Sequence, residues 1–198
     1  MKLNPNQKES IYKMKALIII DMLNDFVTGS LACDRAQRII PNIKKLAEAY
    51  REAGFPVIYN NDAHLAEIDA EFEVWGPHAV EGTEGAEVIS ELSPEKSDII
   101  VPKRRYSGFT GTDLHLRLQE LGVDTVVFAG LHTNMCLRHT SYDAFVHGYK
   151  ICIPEDCADA FDQQQQDDGL AYIKKLYNAE ITDSKTLIEQ VLEKVAIA

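Results

Sequence analysis

The sequence predicts an α/β fold, a three-layer αβα sandwich on a mostly parallel sheet of roughly six strands. Short β-rich apolar runs alternate with longer segments of helical period, the pattern of βαβ units around a parallel sheet. Several helical segments stop at glycine, in Ala53–Gly54, Leu121–Gly122 and His147–Gly148, as helix C-termini commonly do. A chain of 198 residues is long enough to bury a core without disulfide staples.

The first strand is expected at 16–21, where Ala16 to Ile20 is an unbroken apolar run suited to a strand covered on both faces. A helix follows at 38–53 and a strand at 56–60. Residues 61–87 form the longest stretch without a clear strand, and such excursions in compact domains are often binding loops or lids. A third strand is read at 97–101, a helix at 111–121, and a fourth strand at 124–129. Then come a helix at 134–148, a strand at 149–153, a helix at 164–177, a strand at 179–182 and a last helix at 185–195. The run Gln163–Gln166 with Asp167 and Asp168 reads as a solvated helix start. Residues 1–14 read as a polar extension and 15–198 as a single domain.

The formal net charge of −11 argues against nucleic acid, whose phosphates need clustered Lys and Arg. No apolar run approaches the roughly 18 residues of a membrane span, and no signal-peptide apolar region follows the polar start. A cytoplasmic protein with small-molecule partners and no membrane contact is expected. The four cysteines, Cys33, Cys136, Cys152 and Cys157, form no CxxC pair and need no disulfide framework.

In open α/β sheets, ligands bind beyond the carboxyl ends of the strands. The predicted ends carry Asp21; Asn61, Asp62 and His64; Lys103; and the turn Gly130–Leu131–His132–Thr133–Asn134 leading to Cys136. Asp21 closes a buried strand, where a carboxylate needs a partner or a task; the alternative is a helix cap, which Asn24 and Asp25 could supply instead. No GxGxxG follows strand one, so a dinucleotide coenzyme is not expected. Cys136 falls at a predicted helix start, where backbone N–H groups and the helix dipole favour a thiolate, and the turn could offer N–H donors to an oxyanion. Lys103 would lie beside both if strands one, three and four are neighbours, whereas Arg104 and Arg105 read as surface charges or subunit contacts. Asp62, His64 and His78 make a ligand set suited to zinc, iron or manganese, although any two histidines and an aspartate on a loop are more often unrelated polar residues.

These residues spell a resemblance to the isochorismatase-like cysteine hydrolases, and among them the nicotinamidases and relatives of N-carbamoylsarcosine amidase, from about Lys15 to Thr182. An apolar strand ending in D-x-x-x-D-F is similar to Asp21–Met22–Leu23–Asn24–Asp25–Phe26. A lysine motif is similar to Lys103–Arg104–Arg105–Tyr106–Ser107–Gly108–Phe109 with Gly111–Thr112–Asp113–Leu114, and G-x-x-T-x-x-C is similar to Gly130 through Cys136. The resemblance implies a Rossmann-like topology and an Asp21, Lys103, Cys136 triad. It also implies a cis peptide at Leu131–His132 that aims the N–H groups of His132 and Cys136 at an oxyanion. Asp62–Ala63–His64 and Trp75–Gly76–Pro77–His78–Ala79 resemble the D-x-H and W-P-x-H-C metal motifs, with Gly76 for proline and Ala79 for cysteine. One divalent ion at Asp62, His64 and His78 is implied, zinc or else iron or manganese, with no organic cofactor. Phe26, Trp75 and Tyr106 are the implied substrate pocket.

The activity implied is ammonia release from a small carboxamide through a thioester, with nicotinamide to nicotinate as the best match. The alternatives are a carbamoyl or ureido compound, towards which the RRYSGF stretch leans, an isochorismatase-type vinyl ether cleavage, and a non-catalytic binding module. Apolar helix faces and the resemblance suggest a homodimer or homotetramer.

Overall fold

The computed structural model describes residues 14–197, so the polar extension, apart from Met14, lies outside the described residues. The chain runs β1 (Met14–Ile20), α1 (Asn24–Val27), α2 (Ala36–Glu52), β2 (Val57–Asn60), α3 (Phe72–Trp75), β3 (Ile99–Ile100), α4 (Leu114–Glu120) and β4 (Val123–Leu131). It continues through α5 (Cys136–Val146), β5 (Lys150–Pro154), β6 (Ala158–Asp159), α6 (Gln163–Tyr177), β7 (Glu180–Thr182) and α7 (Ser184–Ile197). The strands form one seven-stranded sheet in the order β3-β2-β1-β4-β5-β7, with β6 also paired to β4. Every pairing of these strands is parallel.

The sequence reading of roughly six strands misses β6. Its two residues are too short to show an alternation, yet they extend the ladder past β5 by pairing Gly130 with Ala158 and Leu131 with Asp159. The third strand is also shorter than its apolar run: only Ile99 and Ile100 pair with β2.

β1 shows how the layers form. Its side chains alternate across the sheet: Leu17 and Ile19 face a core shared with Ile39, Ile43 and Leu46 of α2 and Leu187 and Val191 of α7. Ala16, Ile18 and Ile20 face the opposite core, with Leu114 and Leu118 of α4, Leu137 and Ala144 of α5 and Ile173 of α6. Each fully buried Ile or Leu on this strand contributes roughly 1.5–3 kcal/mol by leaving water. Among the described residues, no helix is long and apolar enough to cross a membrane.

One glycine matters for the site. Gly130 pairs with Ile20 and has φ 109; a Cβ there would lie 2.0 Å from the Ile20 carbonyl oxygen. Only glycine lets the ends of β4 and β1 approach this closely. The chain then leaves β1 through Asp21, itself at φ 55.

Candidate active site

Because β2, β1 and β4 are parallel neighbours, their carboxyl ends deliver side chains to one place. Asp21 is buried there: its N–H donates to Asn61 Oδ1 at 2.9 Å, its Oδ1 accepts from the Asp62 N–H at 2.8 Å, and its Oδ2 lies 2.8 Å from Lys103 Nζ. Lys103, only 1% exposed, is held by a bridge between its backbone and that of Asp62 and donates from Nζ to Asp62 Oδ1 at 2.5 Å. Cys136 opens α5, a position at which a helix leaves the backbone N–H without an intrahelical acceptor. Its sulfur and carboxylate oxygens of Asp21 and Asp62 all lie within 4.8 Å of one another. The turn before it contains a cis peptide at Leu131–His132. That turn is fastened by the Met135 N–H on the His132 carbonyl at 2.9 Å and by the Thr133 N–H on the Asp159 carbonyl at 2.9 Å, so β6 anchors it.

The electrostatics follow from two carboxylates and one ammonium in a dry place. Burial and the neighbouring Asp62 charge raise the Asp21 pKa to about 6, with Lys103 partly offsetting them. Burial also opposes ionisation of Asp62, but Lys103 and His64 outweigh it and hold that carboxyl below its ordinary range. For Lys103 burial disfavours the charge, and the two carboxylates overcome this and raise its pKa well above the usual value. Cys136 departs from the sequence expectation of a helix-stabilised thiolate. Burial pushes its thiol well up, Lys103 counteracts only in part, and Asp21 and Asp62 add to the rise. Burial takes His132 down to about 4, so its ring is neutral at physiological pH.

Above this floor, Phe26, Trp75, Tyr106, Met135 and Phe161 form an apolar and aromatic wall. Trp75 Nε1 donates to the Tyr106 hydroxyl at 2.9 Å. Phe161 stacks on His132 with centroids 4.0 Å apart, and Phe26 meets His132 and His78 edge-on. Among the described residues lining this cavity there is no arginine or lysine. Trp75 and His78 come from the excursion after β2, whose fastening also explains Asn24 and Asp25. Neither caps α1: Asn24 Nδ2 donates to the Glu84 carbonyl at 2.8 Å and Asp25 Oδ2 accepts from the Ala79 N–H at 2.8 Å.

Asp62, His64 and His78 also converge, with one donor atom from each within 4.8 Å of the others. His64 has no solvent exposure, and its Nε2 has no hydrogen-bond partner although Asp62 Oδ2 is 3.6 Å away and Glu71 Oε2 3.9 Å. His78 Nδ1 is 2.8 Å from the Gly76 carbonyl, which can only accept, so this nitrogen carries the proton and Nε2 is left as a ligand. An orphaned buried imidazole nitrogen beside a second imidazole and a carboxylate is a donor set that fits a divalent ion of the zinc type.

The sequence pattern of the Isochorismatase domain matches residues 15–186. The chain belongs to the isochorismatase family.

Among solved isochorismatase-type structures, N-carbamoylsarcosine amidase from Thermoplasma acidophilum is 38% identical over 86% of this chain and 96% of its own, with a TM-score of 0.81. Nicotinamidase/pyrazinamidase from Bacillus subtilis is 35% identical over 86% of this chain and 100% of its own, with a TM-score of 0.82. The pyrazinamidase of Pyrococcus horikoshii, solved in complex with zinc, is 28% identical over 85% of this chain and 98% of its own, with a TM-score of 0.80.

Within this isochorismatase-family site, sequence reasoning overlooked three residues. Glu71 lines the cavity near His64, and burial together with the Asp62 charge raises its pKa to about 7. Its signal was an acidic residue inside the segment that already carried D-x-H. Phe161 was missed along with β6, whose end brings it to the cavity. Asp69 was missed because nothing in its sequence surroundings marks a carboxylate with no side-chain exposure.

Proposed function

We propose that this isochorismatase-family hydrolase is a cysteine amidohydrolase that releases ammonia from a small, uncharged aromatic carboxamide, with nicotinamide to nicotinate as the representative reaction. The observation that carries this reading is the meeting of the Cys136 thiol, the Asp21 carboxylate and the Lys103 ammonium beneath an aromatic wall with no arginine or lysine among its described lining residues. A substrate with its own carboxylate would face Asp21, Asp62 and Glu71 with no arginine or lysine among the described lining residues to offset it. Arg104 and Arg105 do not supply one, since both are paired with Asp69.

In this mechanism Cys136 starts as a thiol and Asp21 as the general base. Asp21 takes the thiol proton as sulfur bonds to the amide carbon, and the carbonyl electrons move onto oxygen. The backbone N–H groups of His132 and Cys136 receive that oxyanion. Collapse breaks the C–N bond, Asp21 returns the proton to nitrogen, and ammonia leaves. Water, deprotonated by the same carboxylate, then attacks the thioester; the acid departs and the thiol is restored. Lys103 keeps the two carboxylates compensated throughout. Asp62, His64 and His78 would hold a divalent ion such as zinc, which would supply a Lewis acid for orienting the substrate.

Ammonia release from nicotinamide, N-carbamoylsarcosine and simple ureido acids tests the assignment. Turnover of nicotinamide alone supports it. Preference for a carbamoyl acid would move the chain to the reading favoured by its 38% identity with the Thermoplasma amidase, and no ammonia from any of them would remove the amidohydrolase reading.

The pH dependence has a definite sign. The Asp21 carboxyl, with its pKa raised to about 6, holds its proton further up the pH scale than an ordinary aspartate and cannot act as base while protonated. Measured kcat/KM is expected to fall as pH drops through about 6; a flat profile from pH 5 to 8 contradicts Asp21 as the base.

Removing the metal should weaken substrate positioning. Dialysis against a chelator is expected to raise KM for nicotinamide, zinc to restore it, and His78→Ala to show the raised KM regardless of zinc. Unchanged KM in all three would remove the metal from the mechanism.

A further inference from the structure

Arg104 and Arg105 stand next to Lys103 but outside the chemistry described so far. Arg104 Nε donates to Asp69 Oδ2 at 2.8 Å, and Arg105 Nη1 donates to Asp69 Oδ1 at 2.9 Å. Asp69 thus holds two guanidinium groups, yet its carboxylate is fully shielded, and Oδ2 also lies 3.1 Å from Nδ1 of His64. That contact has the length of a hydrogen bond without its direction.

We propose that Asp69 is a positioning residue for the metal site, holding His64 with the proton on Nδ1 and with Nε2 turned towards Asp62, Glu71 and His78. This rests on the reading of Asp62, His64 and His78 as metal ligands. An imidazole binds a cation through one nitrogen when the other carries its proton, and a carboxylate at the second nitrogen selects that tautomer and makes the ligand more basic. Each candidate histidine has an acceptor beside Nδ1: the Gly76 carbonyl hydrogen-bonded to His78 at 2.8 Å, and Asp69 Oδ2 at 3.1 Å from His64. The arginines give Asp69 its place. They compensate a buried charge that would otherwise be costly, and they fix its orientation through two separate oxygens. Lys103, Arg104 and Arg105, three consecutive cations, thereby reach back to Asp62 and Asp69 on either side of His64. The lysine segment and the metal segment are clasped together.

The test is zinc affinity of the full chain, measured by competition with a chelating dye, together with the melting temperature of the zinc-free protein. Asp69→Asn is expected to weaken zinc binding about 10- to 100-fold, and Asp69→Glu to recover part of that loss. The double variant R104Q/R105Q, at partly exposed positions, is expected to weaken zinc less than Asp69→Asn and carries the test if the aspartate variants do not fold. Zinc affinity equal to that of the parent in the folded variants, even with a lowered melting temperature, would overturn the proposal by leaving Asp69 a structural ion-pair partner only. A parent chain that binds no zinc would overturn it as well. Because neither measurement uses turnover, failure of the amidohydrolase reading would show separately, as absent ammonia release with the zinc pattern intact.

Discussion

Replacing Cys136 by alanine is expected to lower kcat for nicotinamide by on the order of 10⁴-fold, to the residual level that binding and oxyanion donors alone can support. The size of the effect follows from the site's design. Burial pushes the Cys136 thiol well up, so in the proposed mechanism sulfur becomes a nucleophile only as Asp21 removes its proton, and no neighbouring side chain can substitute for the C–S bond. Cys33, Cys152 and Cys157 are buried elsewhere in the fold. Ammonia release measured beside a folding control checks this; more than a tenth of the parent rate in the variant would show that the reaction proceeds without a thioester.

The second large effect concerns Lys103, whose loss should be felt in stability as much as in rate. Lys103→Met keeps most of the side-chain volume but leaves Asp21 and Asp62 facing each other without a cation. Breaking a buried ion pair from one side typically costs about 3–5 kcal/mol. Without the ammonium, the burial and the Asp62 charge that raise the Asp21 pKa act with less to offset them, so the folded state takes up protons as the solution is acidified. The deficit should therefore be smaller near pH 5 and grow as pH rises. Urea denaturation at both pH values measures it, and a midpoint equal to the parent at pH 8 would show that the pair is not structural.

Much of this site was legible because parallel sheets obey a simple rule. Asp21 and Cys136 follow β1 and β4, which pair in parallel so that their ends meet; Lys103 follows β3, which β2 separates from β1, so the expected adjacency of strands one, three and four fails and the bridge to Asp62 brings the lysine in instead. Asp62, His64 and His78 could be named as a set on the motif resemblance, while their convergence depends on how Asn24 and Asp25 tether the excursion, which no local pattern displays. β6 escaped notice because two residues have no period. The ionisation of Cys136 was read with the wrong sign because helix-start placement is visible in sequence whereas burial and the approach of two carboxylates are tertiary facts. Asp69 was hidden for the same reason: its importance lies in Arg104, Arg105 and His64, which only folding brings to it.

Trp75 is the only tryptophan in the chain, and it stands on the cavity wall with its indole N–H on Tyr106. The protein's intrinsic tryptophan fluorescence thus arises at a single address, without background from other indoles. Tryptophan light emitted by the unlabelled molecule is a local optical record of that cavity.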